Sequence, residues 1–282
     1  MNLSADPLRY TVWNPTGNIT ALVESDVCAA DRLISAAKIM DRHKDVEQVG
    51  FVHFPEPTDG SDPVRLHMAG GEFCGNASMC AAALYVMMHT EIMNGNPIPL
   101  ELQVSGQSLP VHVEVTPVSP ERFHTSIQIP PAKSIDDVGL VYDGIRENIP
   151  VVRLEGISHA IITPQSGFFS LRTRCTDAEK AVRHWCDEFS CSCLGLMFLA
   201  EESSDEYQLT PLVYVPGCET MFWEKSCSSG SAAAGMYLSR KRGSFVSLKF
   251  REPGGALRVD SDCVNEKYIL RGTINYSGSY SI

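Results

Sequence analysis

The sequence predicts an α+β protein of two similar halves, each with one helix buried at its centre. Three observations carry this. Strand-like and helix-like segments recur in the same order in both halves. Two helices, opening near residues 75 and 228, are apolar on nearly every side, as expected of helices enclosed by their own domain. Two cysteines stand at the mouths of those helices, 153 residues apart (227 − 74).

In the first half, strand-like runs at 8–13 and 19–23 flank Pro15 and Gly17, a hairpin turn. Asp26 can cap a helix reaching His43, with Leu33, Ile34, Ala37 and Met40 on one face. Strands follow at 48–53 and 64–68, then a glycine-containing turn, a helix over 75–89, and strands at 100–104, 111–115 and 125–129. Pro130 and Pro131 mark a linker.

The second half repeats this order. Strands at 151–154 and 160–163 precede a capping box, Thr176 with Glu179, that starts a helix with Ala181, Val182, Trp185, Cys186 and Phe189 on its apolar face. Strands at 196–199 and 207–215 lead to a second glycine-containing turn and a helix over 228–240. Strands at 246–250, 256–259 and 268–271 complete the half. The helices opening at Asp26 and Thr176 lie 150 residues apart (176 − 26), close to the cysteine offset. Residues 1–130, joined by a terminal strand over 272–282, form one expected half and residues 131–271 the other.

Composition narrows the class. The 282 residues are 44% hydrophobic and 20% charged, as in ordinary globular domains. With 23 basic against 34 acidic residues the net charge is −11, and no basic run offers a nucleic acid or an anionic membrane its counter-charge. The first ten residues lack the basic and apolar regions of a secretion signal, and no apolar stretch approaches the ~20 residues that a bilayer requires. The expectation is a cytoplasmic protein with reduced thiols. Of its ten cysteines, Cys186, Cys191 and Cys193 come nearest to a zinc pattern but lack a second ligand pair, so no metal is expected.

Two segments, Gly70–Leu84 (GGEFCGNASMCAAAL) and Phe222–Leu238 (FWEKSCSSGSAAAGMYL), carry the chemistry. A buried helix leaves its first backbone N–H groups in need of an acceptor, and a bound carboxylate can supply one. The same dipole favours thiolate over thiol at Cys74 and Cys227. Small residues after each sulfur (Gly75, Ser228, Ser229, Gly230) allow a ligand close to the backbone. Paired about a pseudo-twofold axis, the two sulfurs would flank the carbon next to that carboxylate. One could take its proton and the other return a proton to the opposite face, with no cofactor.

At these turns the chain resembles the diaminopimelate epimerase family of cofactor-independent amino-acid racemases, as Cys74-Gly75-Asn76-Ala77 and Cys227-Ser228-Ser229-Gly230. The resemblance implies a mixed sheet wrapped around a central helix in each half, a substrate cleft between, and a homodimer. It also implies Cys74 and Cys227 as the two bases. Asn18, Asn76 and His159, the last ending Gly156-Ile157-Ser158-His159, match substrate-contacting positions of the family.

Its departures concern the substrate. Ile157 and Pro211 stand where the epimerases place asparagines, and the arginine ahead of the second cysteine is missing from Trp223-Glu224-Lys225-Ser226-Cys227. A distal carboxylate would lack a partner there. These departures look like those of the histidine racemases that supply D-histidine for staphylopine-type metallophores. The shared segments hold Asn14 and Asn18, then Glu47 and Gln48, Gly75 and Asn76, Pro211, and Glu224. Glu47 or Glu224 could accept from an imidazole, and Ser228 adds a side chain where the epimerases carry glycine. The expected function is histidine racemisation. Diaminopimelate epimerisation with an atypical distal pocket, or a non-catalytic amino-acid or thiol-redox sensor, are the alternatives.

Overall fold

A computed structural model describes residues 7–55, 63–89 and 95–282. In the first half, β1 (Arg9–Pro15) and β2 (Thr20–Val23) form the hairpin, and α1 (Arg32–Arg42) crosses to β3 (Gln48–His53). Next come β4 (Val64–Met68), α2 (Gly75–His89), β5 (Ile98–Val104), β6 (Val111–Ser119) and β7 (Arg122–Ile129). The second half opens with β8 (Ser134–Tyr142), β9 (Ile145–Arg153), β10 (Ser158–Ile162), α3 (Cys175–Phe189) and β11 (Leu194–Glu201). It continues through β12 (Glu206–Val215), β13 (Thr220–Trp223), α4 (Ser228–Arg242), β14 (Val246–Glu252), β15 (Gly255–Asp262) and β16 (Lys267–Ser281).

The duplication is visible in the pairing. In the first half α1 links the parallel pair β2–β3 and α2 links the parallel pair β4–β5. In the second half α3 links the parallel pair β10–β11 and α4 links the parallel pair β12–β14. Strand β16 joins the two halves: it pairs with β15 near its start, with β7 along its middle, and with β1 toward its end. Through it, β1 to β7 close into a barrel-like ring around α2, and all sixteen strands form one mixed sheet.

Enclosure explains the composition of the central helices. Every residue of α2 from 75 to 84 is buried, and α4 is buried from 228 to 236. Their alanines and glycines let strands come close: a β-carbon on Gly235 would lie 2.6 Å from Ser261 Oγ and 2.8 Å from a Val259 methyl. Both helices share one hydrophobic core, which runs from Trp13 and Phe123 to Met236 and Phe250. The outer helices pack separately, α3 through Ala181 and Trp185 and α1 through Ala36 and Ile39.

Three local expectations are corrected. Asp26 does not cap α1, which starts at Arg32 after a short 3-10 turn over Ala29–Asp31. The Thr176–Glu179 capping box does not form: α3 begins at Cys175, so Thr176 lies inside the helix, and Arg174 at the cap position makes an ion pair with Asp177. The outer helices therefore start 143 residues apart (175 − 32), while α2 and α4 keep the offset of 153 (228 − 75). The stretch after Pro131 is not only a linker. It enters β8 and a β8–β9 hairpin that polar alternation had hidden. No helix among the described residues is long and apolar enough to cross a membrane.

Candidate active site

Cys74 and Cys227 each occupy the position just before a central helix. The Cys74 carbonyl accepts from Ser78 N–H at 3.0 Å and Ser78 O–H at 2.7 Å, and the Cys227 carbonyl accepts from Ser231 N–H at 2.8 Å. Ala77 N–H points at Cys74 Sγ at 3.3 Å, the geometry by which a helix start favours thiolate. Both cysteines are buried, and both line one cavity of about 520 Å³ between the halves.

A chain of contacts joins the sulfurs. The Cys74 thiol donates to Gln48 Oε1 at 2.8 Å, and Gln48 Nε2 donates to Glu224 Oε1 at 3.1 Å. The Glu224 carboxyl in turn faces the Cys227 thiol. Behind this chain, Asn18 Nδ2 donates to Glu47 Oε2 at 2.8 Å, and Asn76 Nδ2 donates to Asn18 Oδ1 at 3.2 Å and to the Ser226 carbonyl at 3.1 Å. The Asn76 bond to Ser226 ties the first half to the turn that carries Cys227.

The cavity is acidic. Glu47, Glu72, Glu219 and Glu224 line it, and among the described residues no Lys, Arg or His does so. Burial raises the Glu47 and Glu72 carboxyls and pushes Glu224 up to about 8. Burial also holds both thiols above the ordinary range. The Ala77 N–H opposes this at Cys74, and the Glu224 and Glu252 charges add to it at Cys227. Desolvation is thus the largest influence on both cysteines and favours the thiol forms.

The sequence-derived residues fall into two layers. Glu47, Gln48, Asn76, Glu224, Ser228 and Ser229 line the cavity with the cysteines. Asn14, Asn18, Gly75, His159 and Pro211 stand behind that lining. Asn14 Oδ1 accepts from Gly17 N–H at 2.6 Å and shapes the hairpin turn. Pro211 lies in β12, and its carbonyl accepts from Glu224 N–H at 3.1 Å. His159, fully enclosed in β10, contacts Ser229 Oγ through Nε2 at 3.0 Å, and burial pushes it down to about 3, so its ring is neutral.

Several site residues escaped the sequence reading. Leu33, Ala37 and Met40, placed there on one face of α1, line the cavity, as do Val213, Val215 and Cys218. Glu252 is buried beneath α4, where it accepts from Cys227 N–H at 2.5 Å and Ser231 O–H at 2.6 Å. Its place late in β14 gave no sequence signal. Cys186 and Cys191 bring their sulfurs to 3.6 Å as a thiol–thiol hydrogen bond and not a disulfide, and no group of three or more His, Cys, Asp or Glu side chains placed to hold a metal ion occurs among the described residues.

Known proteins share this architecture and sequence. A crystal structure of a hydroxyproline epimerase from Agrobacterium vitis, with bound trans-4-hydroxy-L-proline, matches with a TM-score of 0.67 at 11% identity, over 99% of this chain and 91% of that one. A histidine racemase of Fusobacterium nucleatum subsp. nucleatum (strain ATCC 23726 / VPI 4351) is 29% identical over 267 residues, covering 93% of this chain and 92% of the relative. A histidine racemase of Staphylococcus aureus (strain Mu50 / ATCC 700699) is 25% identical over 256 residues, covering 90% and 88%. These likenesses define the class: the protein is an isomerase, a cofactor-independent racemase. More narrowly, the chain belongs to the family described as the histidine racemase CntK N-terminal domain, whose model matches residues 7–278.

Proposed function

We propose that this racemase interconverts L- and D-histidine, with Cys74 and Cys227 as the two proton-transferring groups. The observation that carries the reading is the shared cavity, which has two thiols at facing helix starts and, among the described residues, carboxylates as its charged side chains. The first turns of α2 and α4 offer backbone N–H groups and positive dipole ends to the substrate carboxylate. The α-ammonium brings the positive charge that the acidic lining lacks, and the imidazole finds apolar walls with carboxylate acceptors, Glu47 and Glu224 among them.

In either direction one cysteine, as thiolate, forms an S–H bond with the α-hydrogen while the Cα–H bond breaks. The electron pair moves into the substrate carboxylate, where the helix N-termini stabilise it. The opposite thiol then gives its proton to the other face of the carbon. Product leaves with the two cysteines' protonation states exchanged, and proton exchange resets them. Asn18 and Asn76 hold Glu47 and the Cys227 turn in place, and His159 orients Ser229 beside Cys227.

The halves support this geometry when residues 1–130 with 272–282 are taken as one and 131–271 as the other, since β16 carries the chain from one sheet into the other. A distal carboxylate, as in diaminopimelate, would face Glu47, Glu72 and Glu224, and among the described residues no Lys, Arg or His lines the cavity to meet it. Incubation of L- and D-histidine in deuterium oxide with chiral analysis is the test: both must exchange the α-hydrogen and reach a common mixture. Absence of exchange with either enantiomer overturns the substrate assignment.

A further inference from the structure

Glu72 lies two residues before Cys74, on the turn between β4 and α2, and the reading above assigns it no role. Its backbone is anchored: the Glu72 carbonyl accepts from Ser105 Oγ at 2.9 Å, and the same hydroxyl oxygen accepts from Met68 N–H at 2.9 Å. Its carboxyl enters the cavity beside Cys218 and Val215. A β-carbon on Gly70 would meet Glu72 Oε2, Val215 and Cys218 all within 3.1 Å.

The other deep carboxyls of the lining have side-chain partners, Asn18 for Glu47 and Gln48 for Glu224. Glu72 differs in having no side-chain partner: only the backbone N–H groups of Gly70 and Glu72 itself approach its carboxyl, and its buried Oε2, like the second oxygen of Glu224, is left without a hydrogen bond. A buried acceptor left empty is costly, and more so when it can carry charge. This one also works against the chemistry, because a negative charge near Cys74 and Glu224 disfavours the thiolate. Such an acceptor is retained where a ligand completes it. The substrate's α-ammonium is one donor group, and a lining with Glu47, Glu72 and Glu224 has room for a second.

We propose that Glu72 is a specificity-determining residue whose carboxylate accepts a hydrogen bond from a ring N–H of the substrate side chain. This rests on the cavity being the histidine site. Glu72 then selects nitrogen heterocycles that donate over rings of equal shape that do not, because an analogue without the N–H leaves the acceptor empty.

The experiment compares wild type with Glu72→Gln on two ligands. Histidine is followed as a racemisation substrate, and β-(thiazolyl)alanine, a five-membered-ring analogue without a ring N–H, as a competitive inhibitor. The variant is expected to raise the KM for histidine about 10- to 100-fold, the loss of a charge-assisted hydrogen bond. Its kcat should stay within about threefold, and the inhibition constant of the analogue should not change. A retained kcat shows that the fold and both thiols are intact. Equal weakening of both ligands, an unchanged KM, or a collapse of kcat with KM unchanged overturns the proposal. Failure of wild type to exchange the α-hydrogen of histidine overturns the functional reading beneath it, a result distinct from any of these.

Discussion

Gly75 and Ser228, the first residues of α2 and α4, stand against each other: a β-carbon on Gly75 would lie 2.6 Å from the Ser228 hydroxyl oxygen and 3.2 Å from its β-carbon. This contact sets how closely the two helix starts approach, and so the spacing of the two thiols. Gly75→Ala is expected to lower racemisation by about 100-fold through sub-ångström displacement of the reacting groups. Adding Ser228→Gly removes the obstacle and should restore at least about a tenth of the activity. Initial rates of the single and double variants, beside their melting temperatures, test the pair.

Cys74→Ser and Cys227→Ser are each expected to lower racemisation by about 1,000-fold or more, since a hydroxyl is a far weaker base than a thiolate. Both variants should melt close to wild type because the replacement is nearly isosteric. Polarimetry checks the rate and calorimetry the fold. A serine variant that keeps a tenth of its activity would exclude that sulfur from the reaction.

Stability should depend on pH through Glu252. Burial pushes its carboxyl up to about 8, so the folded protein holds a proton there that the unfolded chain releases near the ordinary carboxyl value of 4.5. Folding therefore binds protons in that interval, and stability declines as pH rises from about 4.5 through about 8. Glu252→Gln keeps one acceptor, for Cys227 N–H, lets its amide N–H donate to the Ser231 hydroxyl oxygen, and removes the titration, so its melting temperature should fall less over that interval. Glu224 contributes the same sign and keeps part of the slope in the variant. His159 acts oppositely: held down to about 3, it costs stability as pH falls below the ordinary imidazole value of 6.5.

The α1 wall should affect binding more than folding. Leu33 is 46% exposed although it faces the cavity, so it contributes less than a core leucine to stability. Leu33→Ala is expected to raise KM several-fold while shifting the melting temperature by only about 2 °C. A Michaelis–Menten series with a thermal scan separates the two effects.

Much of this architecture was legible because the signals were local. Alanine, glycine and methionine on all sides of 75–89 and 228–240 mark helices with no solvent face, and the structure places α2 and α4 there almost residue for residue. The cysteine before each helix was legible for the same reason, and the structure places both on one cavity. Capping was less legible. Asp26 and Thr176 have the right side chains, but the 3-10 turn at Ala29–Asp31 and the Arg174–Asp177 pair decide where α1 and α3 begin. The β8–β9 hairpin was missed because solvent-facing polar residues dilute its strand pattern.

By itself the sequence determined the duplicated order, the two enclosed helices and the residues at their mouths, because helix periodicity, turn chemistry and side-chain volume act over a few neighbours. Only the tertiary structure decided that Gln48 and Glu224, 176 positions apart, would share a hydrogen bond. Closure of the sheet through β16 likewise decided that Glu252 would sit under Cys227, that α1 would wall the cavity, and that Glu72 would keep an empty acceptor inside it. These relations depend on how distant strands register and how much water they exclude, and no stretch of neighbouring residues encodes either.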